Sequence, residues 1–145
     1  MMATWLRRAR TDERGAVTSE MAVVMVTFFA GFLMLVVFAG RVGQAENDVR
    51  SAAHEAARAA TLAATPEAAD ARAREVVASN LAASGIACSG GITTNVDVSE
   101  FQPGGWVTVT VTCNASFNDV ASLNVPGSRN FTASASEIID VFRSS

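Results

Sequence analysis

Lysine and tyrosine are absent from the chain, histidine occurs once (His54) and cysteine twice (Cys88 and Cys113). That inventory leaves little for catalysis. No His, Cys, Asp and Glu cluster has the spacing of a metal site, and there is neither a glycine-rich phosphate loop nor a nucleophile elbow. His54 stands alone in a helical segment, where a solvated polar side chain is the simplest account. The reading is therefore no enzyme, no cofactor and no small-molecule substrate. All eleven basic residues are arginines, and with a net charge of −3 and no basic tract nothing argues for DNA or RNA, so no nucleic-acid partner is expected. The soluble part of a 145-residue chain that also holds a long apolar segment has room for one small domain.

What the sequence does contain is concentrated near its start. From Met21 to Gly40, MAVVMVTFFAGFLMLVVFAG runs for twenty residues without a charge. At about 1.5 Å per residue such a helix spans about 30 Å, one bilayer thickness. Large apolar residues surround the whole helix rather than one stripe, which argues against a soluble amphipathic helix. Arg7, Arg8, Arg10 and Arg14 crowd the N-terminal flank, against Asp12 and Glu13, whereas the far flank carries Arg41 followed by Glu46 and Asp48. The excess of arginine places the N-terminus inside the cytoplasm and the rest of the chain outside. A cleaved secretory signal is the competing reading, with a small-residue site after Ala45, although its apolar core would usually be only about 7 to 15 residues.

At the boundary stands Glu13-Arg14-Gly15-Ala16-Val17-Thr18-Ser19-Glu20-Met21-Ala22. A carboxylate abutting the apolar run is costly in hydrocarbon, on the order of 2.5 to 3.5 kcal/mol at the bilayer centre and less near the interface. Glu20 either faces headgroup water at the membrane edge or has a compensating partner.

An arginine-rich leader, a glycine, and a glutamate five residues later resemble the class III signal of type IV pilins. The resemblance implies that a prepilin peptidase cuts after Gly15, that Ala16 becomes the new N-terminus, and that Glu20 is the fifth residue of the mature chain. In a bundle of such helices the Glu20 carboxylate would neutralise the Ala16 amine of a neighbouring subunit and set axial register. The stretch Ser19-Glu20-Met21-Ala22-Val23-Val24, the apolar run, and Val49-Arg50-Ser51-Ala52-Ala53-His54-Glu55-Ala56-Ala57-Arg58-Ala59-Ala60 are together similar to the TadE-like family of minor pilins or pseudopilins from tight-adherence pilus systems. The similarity covers about residues 7 to 62. Family members often carry a proline in the first turns of the membrane segment, and Val23 to Thr27 has none.

Beyond the membrane, residues 41 to 62 keep helical periodicity, with Val42, Ala45, Val49, Ala52, Ala53, Ala56 and Ala60 on one face and Glu46, Arg50, Glu55 and Arg58 mostly on the other. A stripe of Ala and Val fits either a neighbouring helix in a bundle or the chain's own domain. Thr65-Pro66 predicts the start of a second helix ending near Gly85, with Ala69, Ala73, Val76, Val77 and Leu81 inward. The period then becomes two: Ile92 to Val98, and Val107 to Thr112 after Pro103-Gly104-Gly105, predict a hairpin, and Asn130 to about Ile139 a third strand. In such a hairpin Cys88 and Cys113 fall beside one another. Outside the cytoplasm a disulfide is the natural reading, worth roughly 3 to 4 kcal/mol in the chain-entropy model, with two unpaired thiols the alternative. A loop near Ser116 to Ser128 holds no evident chemistry.

The expected fold is α+β: a long N-terminal transmembrane helix continuing outward, a second helix and an antiparallel sheet of about three strands. The expected segments are 1–15 cytoplasmic leader, 16–40 membrane helix, 41–62 outward continuation and 63–145 extracytoplasmic domain. As a minor pilin or pseudopilin the chain would sit in the cytoplasmic membrane, touching lipid, the prepilin peptidase, other pilin and pseudopilin subunits and the pilus assembly platform. The alternative is an unprocessed single-pass anchor carrying a small binding domain, for which Gly15 and Glu20 have no special role.

Overall fold

The computed structural model describes residues 13–116 and 126–142, with side chains from Ser19 onward. It divides into two compact units, Met1–Val37 and Phe38–Ser145. Helix α1 runs unbroken over Glu13–Thr61. No proline interrupts those residues, and Ala, Arg and Glu supply most of its turns after residue 38. It ends where Thr61 Oγ1 bonds the Arg58 carbonyl at 2.7 Å and Pro66 comes within reach of the ladder.

Helix α2, Pro66–Ser84, has both predicted end signals. Thr65 is extended (φ −133°, ψ 159°) and its hydroxyl accepts the Ala68 N–H at 3.2 Å, while Pro66 sits where no N–H is needed. Gly85 closes the helix at φ 75°, a conformation that costs a side-chain-bearing residue about 1 kcal/mol or more.

Strands β1 (Ile92–Asp97), β2 (Trp106–Ser116) and β3 (Ser128–Ile138) form one antiparallel sheet in the order β1-β2-β3. The expected α+β layout is thus the observed one. β3 begins two residues before the predicted Asn130, and β1 stops at Asp97 because Val98 turns back into the connection, where the Phe101 N–H bonds its carbonyl at 3.2 Å. Pro103-Gly104-Gly105 completes that connection: Gly104 has φ 81°, and a Cβ on Gly105 would overlap the Glu100 carbonyl oxygen.

Burial alternates along β2, with Val107, Val109, Val111, Cys113 and Ala115 inward. They share one core with Phe131, Ala135 and Ile139, with Ala69, Ala73, Val77 and Leu81 of α2, and with the α1 stripe Ala45, Val49, Ala52, Ala53, Ala56, Ala57 and Ala60. Periodicity alone does not assign Ala57 to the stripe, yet it is fully buried. Each buried β2 valine contributes about 2 kcal/mol. The alanines contribute little area individually; their use is to bring the α1 backbone close to its neighbours.

Candidate assembly surfaces

Within the first unit, every described residue from Ser19 to Val37 is exposed. Exposure of the large apolar residues there runs from 51% at Val36 to 69% at Val26, with no favoured side, as expected of a helix whose solvent is hydrocarbon. The run contains one hydroxyl, Thr27, which bonds the Val23 carbonyl at 2.8 Å and so needs no outside partner. Glu20 is exposed at the head of the run. Gly15 and Ala16 lie within α1, and residues 1–12 of the expected leader lie outside the described residues.

In the second unit Cys88 and Cys113 form a disulfide with Cα atoms 5.3 Å apart. The hairpin register makes this possible: Ile92 pairs Cys113, and the ladder is extended by Gly90 N–H to the Asn114 carbonyl (3.0 Å) and Asn114 N–H to the Gly91 carbonyl (3.1 Å). The thiol alternative is thereby closed.

The sheet face away from the helices is polar and almost uncharged. Thr108 meets Ser136 at 2.8 Å, Thr110 meets Ser134 at 3.0 Å, and Thr112 meets Thr132 at 3.1 Å, each as a hydroxyl pair across β2 and β3. Asn114 Nδ2 donates to Asn130 Oδ1 at the end of this row, so these two asparagines hold one another within strands. The alternating Thr and Ser positions are visible in the sequence, but their pairing depends on the β2–β3 register.

Around the helices, Arg74 forks onto Asp70 at 2.8 Å and donates to the Thr94 carbonyl at 2.7 Å, tying α2 to the outer edge of β1. The hydrogen bond from Arg74 holds the Asp70 carboxyl below the ordinary aspartate value. The Asp97 carboxyl is likewise lowered, by its bonds to Ser99. Asn80 donates to Glu55 at 2.6 Å between the helices, and the exposed His54 has its Nδ1 3.9 Å from Glu137 Oε1. Among the described residues no group of three His, Cys, Asp or Glu side chains is placed to hold a metal ion.

At the end of the domain where α1 finishes, a mainly apolar cavity of about 230 Å³ lies between Ala64, Thr65, Pro66, Phe101, Gln102, Pro103 and Ile139. Leu62 (79% exposed) and Phe142 (91%) belong to the same end, with Trp106 and Ile138 half-exposed. Sequence reasoning misses this surface, because its residues come from three connections that no single periodicity links. Residues 117–125, most of the expected loop from Ser116 to Ser128, lie outside the described residues.

Among the described residues there is one exposed N-terminal helix long and apolar enough to cross a bilayer, followed by a small disulfide-closed α+β domain, an arrangement that suggests a single-pass membrane protein. Residues 15–58 match the family model described as TadE-like protein, the same family that the sequence motifs resemble and one associated with Tad pili. No curated protein and no solved structure matches the chain.

Proposed function

We propose that this protein is a structural minor pilin or pseudopilin of a Tad-type pilus, matured by a prepilin peptidase at the Gly15–Ala16 bond and acting in assembly rather than catalysis. The observation that carries the proposal is the family match over residues 15–58, which begins at the cleavage glycine and includes both Glu20 and the apolar run. In this reading residues 1–15 are a cytoplasmic leader, 16–40 the membrane helix, 41–62 its outward continuation and 63–145 the extracytoplasmic domain. Cleavage leaves a cationic amine on Ala16. In a helix bundle the Glu20 carboxylate of one subunit compensates the amine of the next, which removes two isolated charges from hydrocarbon and fixes axial register.

The polar sheet face and the apolar end of the domain then supply contacts to neighbouring subunits, the former giving direction and the latter buried area. The resemblance to Tad-type pilins, whose main subunits are little more than the helix, implies a minor or priming role for a chain with this outer domain. The deciding experiment is mass spectrometry of the N-terminal peptide from the membrane fraction of cells with and without their prepilin peptidase. A chain starting at Ala16 only when the peptidase is present supports the proposal. A start at Met1 or Met2 in both makes the protein an unprocessed anchor, and a start near Glu46 makes it a secreted domain.

A further inference from the structure

β1 and β3 are both edges of the sheet, but they are not equally covered. Arg74 of α2 reaches the Thr94 carbonyl on the outer side of β1. β3 pairs β2 along its whole length, from Ser128 opposite Ser116 to Ile138 opposite Trp106, without a bulge. The Gly104 N–H bonds the Ile139 carbonyl at 2.9 Å and the Ile139 N–H bonds the Gly105 carbonyl at 2.8 Å, so the odd-numbered residues of β3 direct their backbone groups toward β2. Ser128, Asn130, Thr132, Ser134, Ser136 and Ile138 therefore turn theirs away, and no described residue bonds them. A groove of about 320 Å³ runs beside Thr132, Ala133 and Ser134, with Glu46, Arg50 and His54 of α1 on its far side.

An eleven-residue edge with no proline, no lysine and no bulge lacks three of the usual devices that keep edges apart. Its only charges are Arg129 and Glu137, equidistant from Ala133. That symmetry makes the strand complementary to itself. If two copies of β3 run antiparallel with Ala133 opposite Ala133, Arg129 of each lies opposite Glu137 of the other, and Phe131 lies opposite Ala135. The same register places Asn130 opposite Ser136 and Thr132 opposite Ser134, each pair having outward-turned backbone groups that can exchange two hydrogen bonds. A slip of one residue breaks that matching, and a slip of two keeps it but separates both ion pairs.

We propose that β3 joins β3 of a second copy in this register, forming a six-stranded sheet across the pair. Within the domain, Glu46 to His54 of α1 run alongside Thr132 to Glu137 of β3 in the same sense, so antiparallel β3 strands set the two α1 segments of the pair antiparallel as well. The proposal does not rest on the pilus reading or on cleavage at Gly15.

The test uses the full chain in detergent micelles. Under mild oxidation Ala133→Cys should give a covalent dimer, since directly opposed residues at a non-hydrogen-bonded position have Cα atoms about 4.5 Å apart. Ser128→Cys should not, because the two copies of that residue lie roughly 33 Å apart along the strands. Arg129→Glu and Glu137→Arg should each lower the Ala133→Cys dimer yield roughly tenfold or more, by turning two attractions into two repulsions, and the two changes in one chain should restore it. Peptide mapping of the Cys88–Cys113 bond checks that each variant is folded. Equal crosslinking at the two positions, or no recovery in the charge swap, would each overturn the proposal.

Discussion

Replacing both Cys88 and Cys113 by alanine should lower the melting temperature of the folded domain by about 15 °C. The disulfide closes a loop with a sequence separation of 25. In the chain-entropy model this restricts the unfolded chain by about 12 cal/mol/K, or about 3.5 kcal/mol at 25 °C. The unit Phe38–Ser145 spans 108 residues. At roughly 2.1 cal/mol/K per residue its unfolding entropy is about 0.23 kcal/mol/K, and dividing the one figure by the other gives the shift. Because Cys113 is fully buried, loss of its sulfur leaves a small void and makes the shift a lower bound. The assay is thermal unfolding of the full chain in detergent, followed by the strand circular-dichroism band and by Trp106 fluorescence in a Trp5→Phe background. A fall of less than about 5 °C would refute the reasoning, since the β1–β2 pairing would then hold the hairpin closed without the crosslink.

Glu20→Gln and Glu20→Ala should leave membrane insertion intact but weaken incorporation into pili, measured by shear fractionation; normal assembly of both removes the register role. Ala56→Leu, which forces three more carbon atoms into the fully buried α1 stripe, should destabilise the domain by about 1 to 3 kcal/mol in denaturant titration. Thr65→Ala should cost about 1 kcal/mol by the same measurement, through loss of the Ala68 cap, whereas Thr65→Ser should cost much less. Since Asp70 has a lowered pKa in the folded state, its pair with Arg74 contributes stability above the ordinary aspartate value of 3.8, and that contribution is lost as pH falls through the folded value. Arg74→Gln should therefore flatten the acid limb of the stability profile; an unchanged limb would show the pair to be without effect.

The elements legible in the sequence are those whose signals are local. The uncharged run from Met21, the Thr65-Pro66 cap, the alternation about Val107 to Val111 and the Ala-rich stripe each specify their own structure, and all recur in the fold. The disulfide is legible because two predicted strands bring Cys88 and Cys113 together. The apolar end formed by Leu62, Phe101, Trp106 and Phe142 is not, since it depends on where three chain reversals meet. Nor is the pairing of the Thr and Ser hydroxyls, because a shift of one residue in β3 would send them to the other face. Of the candidate functional residues, Gly15, Ala16 and Glu20 act on a peptidase or a neighbouring helix in the proposed function, so motif resemblance rather than folding geometry distinguishes them.

Helix α1 is at once the element that bears the apolar run and the spine of the domain's core. A tensile load on its N-terminal end therefore enters the core with no loop to stretch first. Between Ala45 and Ala60 the helix would have to slide along its axis past α2 and the sheet, breaking contacts over about 22 Å together rather than one after another. Loading in shear resists rupture better than peeling, and the disulfide keeps the first hairpin from unravelling while that load is borne. The alanine stripe, modest in buried area, is thus placed where a pulled anchor would most need a long, close seam.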